Sequence, residues 1–273
     1  MNLLHAAVLG ALQGFTEVLP ISSSAHLILV PWLLQWPESG LTFDVALHLG
    51  TFLALCLYFW RDIIEIIVSF FDAVAARRLN TPARRLPFLI IAATVPAVVA
   101  GKLLEGPIEV MFRSSPLLIA AFLIVFGVIL GLTDYLGRKR LVLDEIKPAS
   151  AMTIGLLQCL ALIPGVSRSG ITISAALMLG FTRESAARFS FLISLPIVAG
   201  AALLKSIHLF EHGIPAGEAL PMLVGIACSA VTGYISVAFL LRFVQKQTLA
   251  PFVWYRVIVG SGLIVAILAG CKG

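Results

Sequence analysis

The sequence predicts an all-α integral membrane protein, an inverted-topology repeat with six transmembrane helices plus two re-entrant helical hairpins. Three observations carry that expectation. The chain is far too apolar for a soluble domain, a Ser-rich segment beside a proline occurs twice, and basic residues collect in alternate connections between the apolar stretches.

Hydrophobic residues make up 60% of the chain and charged residues 12%, with a mean hydropathy of +1.04. Soluble domains carry about a quarter charged residues, so this balance belongs in a bilayer. No series of segments alternates apolar and polar residues, which argues against an outer-membrane barrel. The formal charge of +5 lies between the apolar stretches. There it orients the chain in the membrane and calls for no nucleic-acid partner. The N-terminus, Met1-Asn2-Leu3-Leu4-His5, has no basic region and is read as part of the mature chain. Cys56, Cys159, Cys228 and Cys271 are scattered without metal-ligand spacing and are expected to be free thiols.

In chain order, residues 2–19 and 21–36 give two short apolar helices about Pro20, the first hairpin (2–36). Proline followed by hydroxyls breaks a helix and frees backbone groups that lipid cannot satisfy. Such a segment must be buried in protein or line a wet cavity. Residues 151–163 and 171–182 repeat the pattern about Pro164-Gly165, the second hairpin (151–182). Spans are expected at 43–60, 86–104, 116–133, 187–204, 219–241 and 252–270. The connections at 72–87 (Arg77, Arg78, Arg84, Arg85), 134–150 (Arg138, Lys139, Arg140, Lys147) and 242–250 (Arg242, Lys246) are basic. Those at 105–115 and 205–218 offer Arg113 and Lys205 alone, and the second places His208 and His212 in an outer loop. The positive-inside rule puts the basic connections in the cytoplasm and both termini outside. Arg183 and Arg188 mark a further cytoplasmic end.

Leu12-Gln13 matches Leu157-Gln158, Phe43 to Trp60 resembles Phe189 to Leu204, and Pro116 with Gly127 matches Pro251 with Gly262. The single membrane domain, 1–273, therefore divides into repeat 1 at 1–136 and repeat 2 at 151–273. Each holds one hairpin and three spans. An odd number of spans inverts the second copy, so the hairpins enter from opposite sides and their tips meet near the midplane.

The two Ser-rich copies differ in charge. Ser22, Ser23 and Ser24 fall on Ser167, Arg168 and Ser169, while Glu17 and His26 stand in the first copy only. An ionisable group inside a membrane costs roughly 2.5–3.5 kcal/mol on insertion scales. These groups are kept either as an ion pair joining the hairpins or for chemistry. Gly165 lets backbone approach a ligand, and the helix after it offers unsatisfied N–H groups. The hydroxyls of Ser167, Ser169 and Thr172 can donate to oxygens, and the fork of Arg168 suits a phosphate. Opposite them, Glu17 can hold a divalent metal or act as a base, and His26 can exchange a proton. His48, inside the 43–60 span, can border the same cavity and is left without a role. A phosphate ester or anhydride is the natural ligand.

Gln13-x-x-x-Glu17, Pro20-x-Ser22-Ser23-Ser24-x-His26 and Pro164-Gly165-x-Ser167-Arg168-Ser169-x-x-Thr172 together resemble the motifs of the undecaprenyl-diphosphate phosphatase family. These are also called bacitracin-resistance proteins, and the resemblance covers nearly the whole chain. The family pattern allows Glu or Gln at the first motif position; Gln13 leaves Glu17 as the one carboxylate there. The resemblance implies hydrolysis of a polyprenyl diphosphate lipid to its monophosphate, which recycles the carrier for cell-wall synthesis. It also implies a divalent cation, Mg2+ or Ca2+, and a multi-pass place in the bacterial inner membrane with the site open to the periplasm. A homodimer stays open. Glu17, Ser23, His26 and Arg168 would be catalytic, with Glu17 also the metal ligand. Gln13, Ser22, Ser167, Ser169 and Thr172 would bind substrate. Ser23 is the expected nucleophile with His26 as its proton partner, direct attack by water being the alternative.

Other classes fit less well. An intramembrane serine protease has no use for Arg168 beside Glu17, and no Gly-x-Ser-x-Gly stands in the chain. A phosphatidic-acid-type phosphatase needs a histidine soon after its Ser-Arg pair, and 173–180 contains none. A polyprenyl-phosphate flippase or secondary transporter with the same repeat is the rival from another class.

Overall fold

The computed structural model describes residues 2–37, 40–113, 115–212 and 217–270, with side chains at 41, 42, 105, 109, 113 and 204–212 outside the description. Its helices are α1 (Leu3–Val18), α2 (Ser23–Leu34), α3 (Gly40–Tyr58), α4 (Trp60–Ala76), α5 (Pro82–Arg113) and α6 (Pro116–Leu136). They continue as α7 (Pro148–Gln158), α8 (Arg168–Met178), α9 (Arg183–His212), α10 (Ala219–Lys246) and α11 (Ala250–Leu268). The local signals are ordinary ones. Asn2 caps α1 by accepting from His5 N at 2.7 Å, and α1 ends at the extended Leu19 before Pro20. α6 and α7 begin on Pro116 and Pro148, whose missing N–H costs nothing at a helix start.

Among the described residues, five helices are long and apolar enough to cross a membrane: Pro82–Leu104, Pro116–Leu136, Arg183–Leu203, Ala219–Lys246 and Ala250–Leu268. The span expected at 43–60 is α3, whose Phe43–Tyr58 part is a shorter apolar helix. Residues 2–36 and 151–182 each contain two short helices, α1 with α2 and α7 with α8. Two features differ from the sequence expectation. α4 occupies 60–76, where Arg61, Asp62 and Glu65 hide a helix from any search for apolar length. α9 runs on to His212, so 205–212 is helical rather than a loop, and the side chains of Lys205, His208 and His212 lie outside the description. Cys56, Cys159 and Cys228 are free thiols, and Cys271 lies outside the described residues.

Small residues let these helices approach closely. A Cβ on Gly10 would stand 2.3 Å from Gly225 O, and one on Gly155 would stand 2.4 Å from Ala93 O. α1 therefore lies against α10, and α7 against α5, at backbone contact distance, the arrangement that compensates for a weak hydrophobic drive between helices in lipid. Each hairpin packs on a span from the other half of the chain. Between the contact seams lies an apolar core that includes Val18, Phe59, Leu130, Ile173, Phe189 and Val237. Outward, Leu57, Val98, Leu103, Val231 and Ile258 stay exposed, as a lipid-facing surface requires.

The polar end of the bundle is held by ion pairs. Arg183 grips Asp134 with Nε at 2.5 Å and Nη2 at 3.2 Å, and the same carboxylate accepts from Leu249 N at 2.9 Å. Arg188 pairs with Asp62 across α9 and α4. At the α4–α5 connection Arg84 Nε donates to Asp72 at 2.7 Å, a bond that draws this exposed carboxyl below its ordinary pKa.

The close α1–α10 seam is testable. Gly10→Val should cost about 1–3 kcal/mol through forced backbone shifts. The midpoint of thermal unfolding in detergent should fall accordingly, whereas Gly262→Val, with open space around its Cβ, should leave it unchanged.

Candidate active site

The two hairpin turns meet. Ser22 and Ser167 precede α2 and α8, and both hold positive φ, 76° and 73°. Non-glycine residues pay for such backbone, of order 1–3 kcal/mol each, and keep it only where surroundings enforce it. Here the turns enforce each other. Gly165 N donates to Ser22 Oγ at 3.1 Å, and Ser169 Oγ donates to Leu19 O at 3.1 Å. Gly165 has φ +99°, and a Cβ there would stand 2.7 Å from Ile119 O on α6.

A cavity of about 320 Å3 opens beside this junction. Glu17, Ser23, Asp44, His48, Ser167 and Arg168 give it polar groups, while Leu27, Ile28, Ala97, Leu162 and Val198 are among its apolar walls. Both α2 and α8 start at it, so the positive ends of two helices face one space. Glu17 lies at the centre of the polar contacts. Its Oε2 accepts from Ser23 Oγ at 2.5 Å and from Gln13 Nε2 at 3.2 Å, and its Oε1 pairs with Arg168 Nη2. His48 Nε2 stands 3.5 Å from Oε2. Arg168 also reaches Ser194 O through Nη1 at 3.4 Å. The carboxylate is 8% exposed and the guanidinium 16%. Acid from one hairpin and base from the other thus share a wall of one mixed polar and apolar cavity.

The family model described as bacitracin resistance protein BacA matches residues 6–262. The chain belongs to the BacA family. Among its relatives, a protein of Pelobacter propionicus named undecaprenyl-diphosphatase is 70% identical over 273 residues, the whole of both chains. One of the same name from Geobacter metallireducens is 62% identical over 98% of this chain and 99% of its own. A more distant one, from Thermomicrobium roseum, is 45% identical over 98% and 99% respectively.

In this BacA-family chain the motif residues divide into two groups. Glu17, Ser23, Ser167 and Arg168 reach the cavity. The others expected to touch substrate are spent on holding the turns. Ser22 Oγ is taken by Gly165 N, and Thr172 Oγ1 bonds Arg168 O at 2.8 Å and Ser190 Oγ at 2.7 Å. Ser169 donates to Leu19 O, and the fully buried Gln13 donates to Glu17. Ser167 Oγ caps α8 by accepting from Gly170 N at 3.1 Å.

The expected pairing of Ser23 with His26 is replaced. His26 Nδ1 lies 2.7 Å from Ser22 O, and because a carbonyl only accepts, Nδ1 carries the proton. Nε2 lies 2.7 Å from the Tyr255 hydroxyl on α11. Both ring nitrogens are therefore occupied, and the Ser23 hydroxyl donates to Glu17 instead. The imidazole that borders the cavity is His48.

Sequence reasoning missed Arg256. This α11 residue is completely buried and donates only to carbonyls: Leu123 O at 3.0 Å, Pro20 O at 3.1 Å, Gly165 O at 2.6 Å and Val166 O at 3.1 Å. Pro20 belongs to the first turn, Gly165 and Val166 to the second, and Leu123 to α6. The available signal was a lone arginine inside the 252–270 span.

The described side chains offer a divalent cation few ligands. Arg168 occupies one oxygen of Glu17, and Ser23 and Gln13 occupy the other. Among the described residues no three His, Cys, Asp or Glu side chains gather as a metal cage.

Arg256→Met should take the donor from the turn carbonyls of Pro20, Gly165 and Val166, each costing about 1–3 kcal/mol. The expected result is a sharp loss of folded protein by size-exclusion chromatography in detergent. Arg256→Lys, which keeps the charge but not the fork, should lie between Met and wild type.

Proposed function

We propose that this chain hydrolyses undecaprenyl diphosphate to undecaprenyl phosphate and inorganic phosphate, recycling the lipid carrier for peptidoglycan synthesis and conferring bacitracin resistance. One observation carries the mechanism: Ser23, Glu17 and Arg168, from two different hairpins, converge on one cavity. Relatives named undecaprenyl-diphosphatase along their full length favour this hydrolase over a flippase or transporter.

The chemistry follows from the contacts. The Oγ of Ser23 attacks the terminal phosphorus while Glu17, 2.5 Å away, accepts its proton. The anhydride P–O bond breaks and undecaprenyl phosphate leaves with the electron pair. Water then attacks the phosphoserine: Glu17 returns its proton to the departing Ser23 Oγ, takes one from the water, and inorganic phosphate is released. Arg168 and the two helix starts neutralise the charge that gathers on the equatorial oxygens. His26, bound to the Ser22 carbonyl and to Tyr255, is a positioning residue that fixes the turn carrying Ser23. Ser22, Ser169, Thr172 and Gln13 shape the cradle from behind. Glu17 would hold a divalent cation, Mg2+ or Ca2+, together with the diphosphate, and the ion would neutralise charge on the phosphate oxygens.

The same proposal extends to the architecture. Repeat 1 (1–136) and repeat 2 (151–273) are inverted copies with six spans in all, α3 being the sixth. The reciprocal packing of α1 on α10 and α7 on α5 supports this, as do the matching backbone angles at Ser22 and Ser167. The chain sits in the bacterial inner membrane with the 72–87 and 134–150 connections cytoplasmic and the cavity open to the periplasm. The basic residues of those connections support that orientation.

Purified wild-type protein should release phosphate from undecaprenyl diphosphate, and absence of release would remove the hydrolase. Arg168→Lys should lower turnover about 100-fold, since lysine lacks the planar fork. Turnover within twofold of wild type would exclude a catalytic guanidinium. For orientation, single cysteines at positions 80 and 142 should resist a membrane-impermeant maleimide in intact cells.

A further inference from the structure

Two buried side-chain atoms among the described residues lack any hydrogen-bond partner, Gln13 Oε1 and Gln158 Oε1. These glutamines are the matched Leu-Gln pairs of the two halves, but they are placed differently. Gln13 stands behind Glu17, whereas Gln158 lines the cavity together with Glu17, Ser23 and Arg168. Gln158 is 2% exposed and ends α7.

The orientation of its amide is not free. Nε2 donates to Ala93 O at 3.4 Å, and a flipped amide would set two acceptor oxygens against each other. The approach of α7 to α5 at Gly155 and Ala93 keeps that carbonyl in place. The acceptor left over is therefore the oxygen, fully buried in a residue that lines the cavity. A buried carbonyl oxygen without a donor costs about 1–3 kcal/mol, so it favours a ligand that donates.

We propose that Gln158 Oε1 accepts a hydrogen bond from the water molecule that attacks phosphorus. A diphosphate at neutral pH carries acceptor oxygens and has little to donate, which makes it a poor partner for a carbonyl. Water has two protons. One goes to the base, and the other, held by Gln158, turns the lone pair toward phosphorus. Glu17 takes the first of these protons, so the second needs another acceptor. Orientation by an amide is an established way to position an attacking water in phosphoryl transfer. In the reaction the water O–P bond forms, the P–O bond to Ser23 breaks, the proton Glu17 took from Ser23 returns to Ser23 Oγ, and the proton lost by water passes to Glu17. Gln158 makes and breaks no covalent bond, so it is a positioning residue.

This role rests on the hydrolase activity proposed above. The test compares wild type, Gln158→Leu and Gln158→Glu on undecaprenyl diphosphate, with thermal unfolding in detergent to confirm that each is folded. Both variants lose the N–H donated to Ala93, so their difference reports the acceptor oxygen alone. Turnover should fall about 100-fold in Gln158→Leu and be largely restored in Gln158→Glu. Inhibition by a methylene-bridged diphosphonate analogue of the lipid should stay within twofold in both, because the residue holds water and not substrate. If Gln158→Leu does not fold, Gln158→Met supplies the same comparison. Turnover of the Leu or Met variant within threefold of wild type would overturn the assignment. So would equal loss in the acidic variant, or inhibitor affinity falling in step with turnover. Wild type without phosphate release would instead remove the underlying activity.

Discussion

Everything at the centre of this molecule depends on how Arg256 is satisfied. A fully buried guanidinium is costly unless its donors find acceptors, and here four carbonyls supply them. Three of those carbonyls belong to the two turns that proline and glycine have broken out of regular helix, and the fourth, Leu123 O, belongs to α6. Neither the turns nor the arginine is tolerable alone in lipid; together they satisfy each other. The result is a rigid floor under the cavity, and the positive φ of Ser22 and Ser167 is held there by the same mutual constraint.

On that floor the two hairpins contribute opposite charges. Glu17 and Arg168 are paired across the junction, so in the absence of substrate neither is an isolated charge in a low-dielectric site. In the proposed reaction a diphosphate entering the cavity competes for the guanidinium, and the carboxylate released from part of that pairing is left next to the Ser23 hydroxyl. The proposed chemistry is thus built from the same contacts that hold the two hairpin turns together. The apolar part of the cavity wall, with Leu27, Ile28 and Val198, suits the first units of a polyprenyl chain that continues into the bilayer.

The interlocked packing of α1 on α10 and α7 on α5 has a mechanical consequence. Each hairpin is carried by a helix of the other half, so the halves cannot separate without pulling the turns apart. Glycine makes this possible where a side chain would hold the helices away from each other, as at Gly10 and Gly155. Site geometry and overall assembly are therefore one problem in this fold.

Composition determined the membrane class, and proline with its hydroxyl cluster determined that both Ser-rich segments turn inside protein. Those are local properties, legible because a bilayer accepts so few kinds of backbone. The pair Glu17 and Arg168 was equally legible, since charge in an apolar setting needs a partner. α4 was hidden because a helix with Arg61, Asp62 and Glu65 gives no run of apolar length. The partner of each side chain was decided only by the tertiary structure. His26 follows the Ser cluster in sequence yet turns to Tyr255, while His48, from another helix, stands beside Glu17. Arg256 and Gln158 acquire their meaning from carbonyls and a cavity wall contributed by distant segments. Sequence fixes which groups a chain must satisfy; only packing brings the distant acceptors and donors that satisfy them.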